Sequence, residues 1–115
     1  MITAGIRVKN SWHVAEFYLD SGAAYTLMHS QFADRLSFDY AAGKRILVQV
    51  GDGSFIPVFL HRLTMQIGGK RFDTTVGFSN RLGVRFHLLG RYELFEHFKI
   101  CFHEKQRAVF FHPLT

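Results

Sequence analysis

Apolar and polar residues alternate along much of the chain, the period of two that sets one strand face on a core and the other in solvent. Gly5-Ile6-Arg7-Val8-Lys9 shows it first, and Asn10-Ser11 then reads as a turn. Residues 14–19 form a β-rich run that stops at Asp20-Ser21-Gly22-Ala23, after which Thr26-Leu27-Met28 resumes strand character. Two further runs, residues 46–50 and 55–60, flank Gly51-Asp52-Gly53-Ser54, and β-rich runs around a glycine-containing turn predict a hairpin. Residues 63–67 alternate again, Gly68-Gly69-Lys70 turns, and residues 71–78 supply the next arm. His87-Leu88-Leu89 runs into Gly90-Arg91. Residues 98–102 and 108–111 predict a last hairpin across Glu104-Lys105-Gln106-Arg107.

Helical spacing occurs only in short pieces. Residues 30–36 carry apolar positions at 32, 33 and 36, and Ser30 is the expected N-cap. Tyr92, Phe95 and Glu96 predict one or two turns within residues 91–97. The sum is an all-β chain, a small closed barrel or folded sheet with one or two short helices. At 115 residues, with no repeat, linker or low-complexity tract, residues 1–115 are expected to form one domain.

Composition adds two things. Hydrophobic residues make up 48% of the chain and 13 are Phe, more than one small subunit readily hides, so a buried subunit interface is expected. The net charge of +5 raises the question of nucleic acid, but Lys and Arg are scattered and the densest run is Lys105-Gln106-Arg107. A nucleic-acid binder gathers such charges on one face, so no nucleic-acid partner is expected. Cys101 is the only cysteine, which excludes an internal disulfide and suits a reducing, cytoplasmic setting. It falls in an alternating stretch, as a half-buried strand residue would. No apolar run is long enough to span a membrane and no cleavable signal pattern opens the chain.

The strongest candidate chemistry lies at Asp20. It ends the apolar run Phe17-Tyr18-Leu19, where a carboxylate is costly unless donors stabilise it. Ser21 can offer a hydroxyl, and Gly22 an open backbone N–H and the freedom for a sharp turn. Taken alone, these residues equally describe a common Asp-Ser-Gly turn at a strand end. The remaining candidates are weaker. None of the seven histidines forms a His-x-x-x-His pair and Cys101 has no partner at ligand spacing, so no metal or cofactor is expected. There is no Gly-x-Ser-x-Gly, although a Ser/His/Asp triad needs only to meet in space. Gly51-Asp52-Gly53 is too short for a phosphate loop and lacks the following Lys-Ser/Thr.

Asp20-Ser21-Gly22-Ala23 resembles the Asp-Thr/Ser-Gly-Ala signature of retropepsin-like aspartic proteases. Leu88-Leu89-Gly90-Arg91 resembles that family's second motif, two apolar residues and a glycine before the terminal helix. Gly51-Asp52-Gly53-Ser54-Phe55 stands where the family carries its flap, and the tail from 95 to 111 resembles its closing helix and strand pair. The chain departs from the pattern in carrying Ser21 for the commoner threonine, and Asp52 where many viral members have an apolar tip.

The resemblance implies an aspartic endopeptidase that binds peptide or protein as an extended strand. Only one Asp-Ser-Gly-Ala is present, so the two carboxylates that hold the attacking water imply a homodimer with Asp20 from each chain. It also implies that Ser21 stiffens the paired loops, that Gly22 directs its N–H toward the carboxylates, and that Leu88, Leu89 and Gly90 pack behind them. The carboxyl-terminal segment, residues 108–115, is expected to carry more of the dimer interface than the amino terminus. Since the family resemblance also embraces idle members, the alternative is an inactive domain that dimerises or binds peptide.

Overall fold

A computed structural model describes residues 1–20, 22–83, 87–91, 94–103 and 108–114, without the side chains of Phe95, 100–103 and 108–110. Strands β1 (Ile2–Val8) and β2 (Ser11–Leu19) form the first hairpin, in register from Ile2↔Phe17 to Val8↔Ser11. Its turn falls on Lys9 and Asn10, with φ of 52° and 64°, one residue before the turn expected from sequence. Positive φ at both central residues is the geometry that lets a two-residue turn follow the strands' twist. β3 (Thr26–His29) runs straight into helix α1 (Ser30–Arg35). His29, not Ser30, occupies the N-cap and makes no side-chain cap bond, while Ser30 is already helical and buried. The hydroxyl expected to cap the helix is thereby spent inside it.

A 3-10 turn, η1 (Tyr40–Ala42), leads to β4 (Lys44–Gln49), β5 (Phe55–Ile67) and β6 (Lys70–Ser79). β7 (His87–Leu89), α2 (Leu94–His97), β8 (Phe98–His103) and β9 (Ala108–Pro113) complete the described elements. The two runs read from sequence at 55–60 and 63–67 are one strand of 13 residues. They looked separate because β5 changes neighbours between them. Residues 55–60 pair with β4, residues 64–66 pair with β1, and β6 follows the other edge from Phe59 to Ile67. At the changeover His61 turns to the η1 carbonyl, its Nε2 lying 2.6 Å from the Tyr40 oxygen, so the alternation lapses.

The β1–β5 pairing closes β1-β2-β7-β3-β6-β5 into a six-stranded barrel, with β4 attached outside it to β5. The barrel is filled by inward residues such as Ile6, Phe17, Met65 and Phe78, all fully buried. Phe78 sits in an aromatic group with Phe38, Tyr40 and His61, at centroid separations of 5.7, 6.3 and 5.8 Å. A second, smaller cluster of Leu27, Ile56 and Val58 lies under the β4–β5 hairpin. α2, Leu94–His97, is one turn within the 91–97 span expected from sequence, and before it the Arg91 amide donates to the Ala23 carbonyl. Tyr92 lies outside the described residues. β8 and β9 pair antiparallel as expected, although their connection at 104–107 and the Cys101 side chain also lie outside the description.

Phe78 makes the barrel's dependence on its filling measurable. Phe78→Ala should cost about 3–5 kcal/mol of unfolding free energy in a urea titration. Phe55→Ala, at a side chain 61% exposed, should cost no more than about 0.5 kcal/mol.

Candidate active site

Asp20 sits where three strands meet. β2 and β7 run parallel, in register Phe17↔His87, Tyr18↔Leu88 and Leu19↔Leu89, and β7 meets β3 antiparallel at Leu27↔Leu88. β7 therefore inserts between β2 and β3, the two strands that the Asp20 loop connects. The Asp20 amide extends the β2–β7 ladder by donating to the Leu89 carbonyl at 3.0 Å. The chain then turns sharply. Ala23 N–H donates to the Asp20 carbonyl at 3.1 Å, and Gly22 N–H donates to Asp20 Oδ1 at 3.0 Å. The carboxylate is half-exposed and already holds one of the donors expected from sequence, while Ser21 lies outside the described residues.

Gly90 fastens this loop from behind. Its N–H donates to Thr26 Oγ1 at 3.2 Å, and the next amide, of Arg91, donates to the Ala23 carbonyl at 2.9 Å. A β-carbon at Gly90 would stand 2.3 Å from the Tyr25 carbonyl group and 2.9 Å from the Ala24 oxygen. Those neighbours are backbone and cannot step aside, so only glycine lets the strands approach this closely. Asp20, Gly22 and Ala23 are thus brought together with Leu88, Leu89, Gly90 and Arg91. Leu89 and Gly90 are buried, Leu88 is half-buried and Arg91 is exposed.

Gly51, Asp52, Gly53, Ser54 and Phe55 occupy the exposed tip of the β4–β5 hairpin. Val50 N–H donates to the Ser54 carbonyl and Gly53 N–H to the Val50 carbonyl, both at 2.9 Å, with Gly53 at φ 87°. Asp52 Oδ1 accepts from the Ser54 hydroxyl and, at 2.9 Å, from the Ser54 amide. These bonds hold the Asp52 carboxyl below its ordinary range. Here Asp52 braces the turn. The hairpin and the Asp20 loop share one apolar wall, since Ile46, Val48 and Val50 pack on the same cluster as Tyr25 and Leu88.

His87 was not singled out by the sequence, where it merely opens the run His87-Leu88-Leu89. In the fold its ring lies among Phe17, His29 and Phe32, at centroid separations of 5.6, 5.5 and 5.7 Å. His87 Nδ1 accepts the His29 backbone N–H at 3.1 Å, which requires that nitrogen unprotonated. Burial first, then the positive charges of His29 and Arg35, lower its pKa from 6.5 to about 4. Among the described residues no three His, Cys, Asp or Glu side chains gather as a metal site.

Residues 4–90 match the model of a protein family described as aspartyl protease. The fold is similar to the crystal structure of a retropepsin-like aspartic protease from Rickettsia conorii, with a TM-score of 0.61 and 19% identity over 99% of this chain and 82% of that one. No curated protein matches the sequence.

Two substitutions probe the site's scaffold. Gly90→Ala should destabilise the fold by about 1–3 kcal/mol or more, read as a lower thermal midpoint, because a methyl group is forced onto the Tyr25 backbone. Because His87 is depressed, the unfolded chain binds the extra proton between the two pKa values. The neutral ring's stabilising contribution is whole above about 6.5 and is lost as pH falls toward about 4. His87→Gln, which cannot titrate, should flatten the fall of unfolding free energy across that window.

Proposed function

Since the chain belongs to the aspartyl protease family, we propose that it is an endopeptidase active as a homodimer, with its catalytic dyad formed by Asp20 of each copy. The observation that carries this reading is the Asp20 loop, whose carboxylate is half-exposed at the end of β2 while its backbone is tied to Leu89 and Gly90. A half-exposed carboxylate on a rigid loop is free to meet its counterpart across a two-fold axis. The sequence holds a single Asp-Ser-Gly-Ala, so the second carboxylate must come from another chain.

Two carboxylates in contact cannot both ionise cheaply, so the pair shares one proton and titrates in two separated steps. The ionised member takes a proton from the water held between them, and that water attacks the scissile carbonyl. The protonated member hydrogen-bonds to the carbonyl oxygen, and the dyad then returns a proton to the leaving amine. The Gly22 N–H, which donates to Asp20 Oδ1, fixes the rotation of that carboxylate. Ser21 serves to stiffen the paired loops and is not the nucleophile.

The β4–β5 hairpin acts as the flap. It closes over an extended peptide, which binds through main-chain hydrogen bonds as an added strand. The Asp52–Ser54 bonds keep its tip preformed, and Leu47 and Phe55, 57% and 61% exposed, give it apolar surface to lay on substrate. The shared wall of Val48, Val50 and Leu88 couples hairpin and catalytic loop as one structural unit.

Cleavage of a mixed peptide library from about pH 4 to 7, a range that spans the dyad's titration, tests the reading. Asp20→Asn should lower the rate by about 10³-fold or more while fold and dimer persist. Peptide binding without turnover, indifferent to Asp20→Asn, would establish an inactive binding domain instead.

A further inference from the structure

We propose that the outer face of strands β2, β1 and β5 is a docking site for another protein, which lays an apolar side chain over Gly5 and an acidic one on Arg71. The alternation of the strands leads there. Ala4 and Ile6 are buried in the barrel, so Gly5 between them faces outward, opposite Val14 on β2 and Gln66 on β5. With no side chain at Gly5, the sheet carries a notch of about 330 Å³, walled also by Thr3 and Trp12. Val14 is 74% exposed and Trp12 38%, so apolar surface stands open around the notch.

The notch is braced on one side. A β-carbon at Gly5 would stand 3.3 Å from Cε3 of the Trp12 indole, so the ring leans close over the glycine. Arg71 lies on that ring, its guanidinium carbon 4.9 Å from the centroid, and donates through Nε to Gln66 Oε1 at 2.8 Å. Gln66 in turn donates to the Gly68 carbonyl at 3.0 Å. Stacking and the Nε bond hold the guanidinium plane and leave both Nη groups without a partner among the described residues. A held fork of this kind matches a carboxylate, which it meets with two parallel bonds. No described carboxylate of the chain supplies it. Asp73 accepts the Thr64 hydroxyl at 2.7 Å, and Glu16 stands beside Thr3 on β2, across the notch.

The occupant is an extended segment of a different protein. β1 pairs with β5 only along residues 5–7, so among the described strands its residues 2–4 keep an open edge beside the notch for main-chain bonds. Side chains two positions apart in an extended segment share one face, which suits an apolar anchor over Gly5 and a carboxylate on Arg71. Tryptophan and arginine are also the side chains on which binding energy most often concentrates. A second copy fits poorly, because Arg7 and Arg71 on this face would meet the same charges across a two-fold contact. β5 runs unbroken from Phe55 to Ile67, so the partner grips the far end of the strand that carries the β4–β5 hairpin.

Trp12 is the only tryptophan, so its fluorescence and its indole N–H resonance report on this face alone. The probe is the blocked peptide acetyl-Thr-Phe-Thr-Glu-Thr-amide, added to the Asp20→Asn chain so that no cleavage consumes it. It should shift both signals saturably, with a Kd below about 1 mM. Replacing its Glu by Gln, replacing its Phe by Ala, or introducing Arg71→Met should each weaken binding at least about 10-fold. An unchanged thermal midpoint verifies the fold of Arg71→Met, and the two altered peptides need no change in the protein. Trp12 signals that stay unmoved up to about 5 mM peptide would overturn the proposal. So would equal binding of the Glu and Gln peptides, or shifts centred on residues 18–20 and 50–55. Tighter binding of acetyl-phenylalanine, which would indicate a free chain end, or a response that tracks self-association in sedimentation, would overturn the choice of partner.

Discussion

The short strand β7 is the constraint on which the site depends. It is three residues long, yet it touches both β2 and β3 and so holds the two ends of the Asp20 loop at a fixed distance. The Asp20 amide bonded to Leu89, and the glycine contact of residue 90 on the Tyr25 backbone, fasten the start of that loop to β7. Such fastening suits the proposed dyad, in which a carboxylate that could swing away from its partner would lose both the shared proton and the water.

The same strand links stability to acidity. His87 begins β7 and must stay neutral to accept the His29 amide, so acid loosens the element that positions Asp20. A carboxylate dyad works best with one proton on the pair, which favours mildly acidic conditions. The two demands oppose each other below the range where the imidazole begins to charge. Under the proposed function, the working range would reflect the scaffold's histidine as well as the dyad.

Much of the fold is legible because runs of β-rich residues are separated by turn residues along the chain. β1 shows strand alternation plainly, and the two motifs at 20–23 and 88–91 are legible as residue patterns. The continuity of β5 was hidden because a strand that changes partners midway changes which faces are buried. η1 has only three residues, too few for a helical period. The helix starts one residue earlier than its capping residue suggests because Ser30 is buried by tertiary packing, which overrides its capping preference. Within the site, Asp20, Gly22 and Gly90 could be chosen from sequence, but the insertion of β7 between β2 and β3 could not. Parallel pairing between distant segments leaves no local mark, and for the same reason His87 looked like any residue beginning a strand.

The central claim is that two chains share one catalytic centre, and mixing tests it most directly. The native chain and Asp20→Asn are combined in varied proportion at constant total concentration, allowed to exchange subunits, and assayed for peptide cleavage. A shared centre predicts activity that falls with the square of the native fraction, since only the all-native dimer carries two Asp20 carboxylates. Activity that falls in simple proportion to the native fraction would mean that each chain works alone, and would contradict the account.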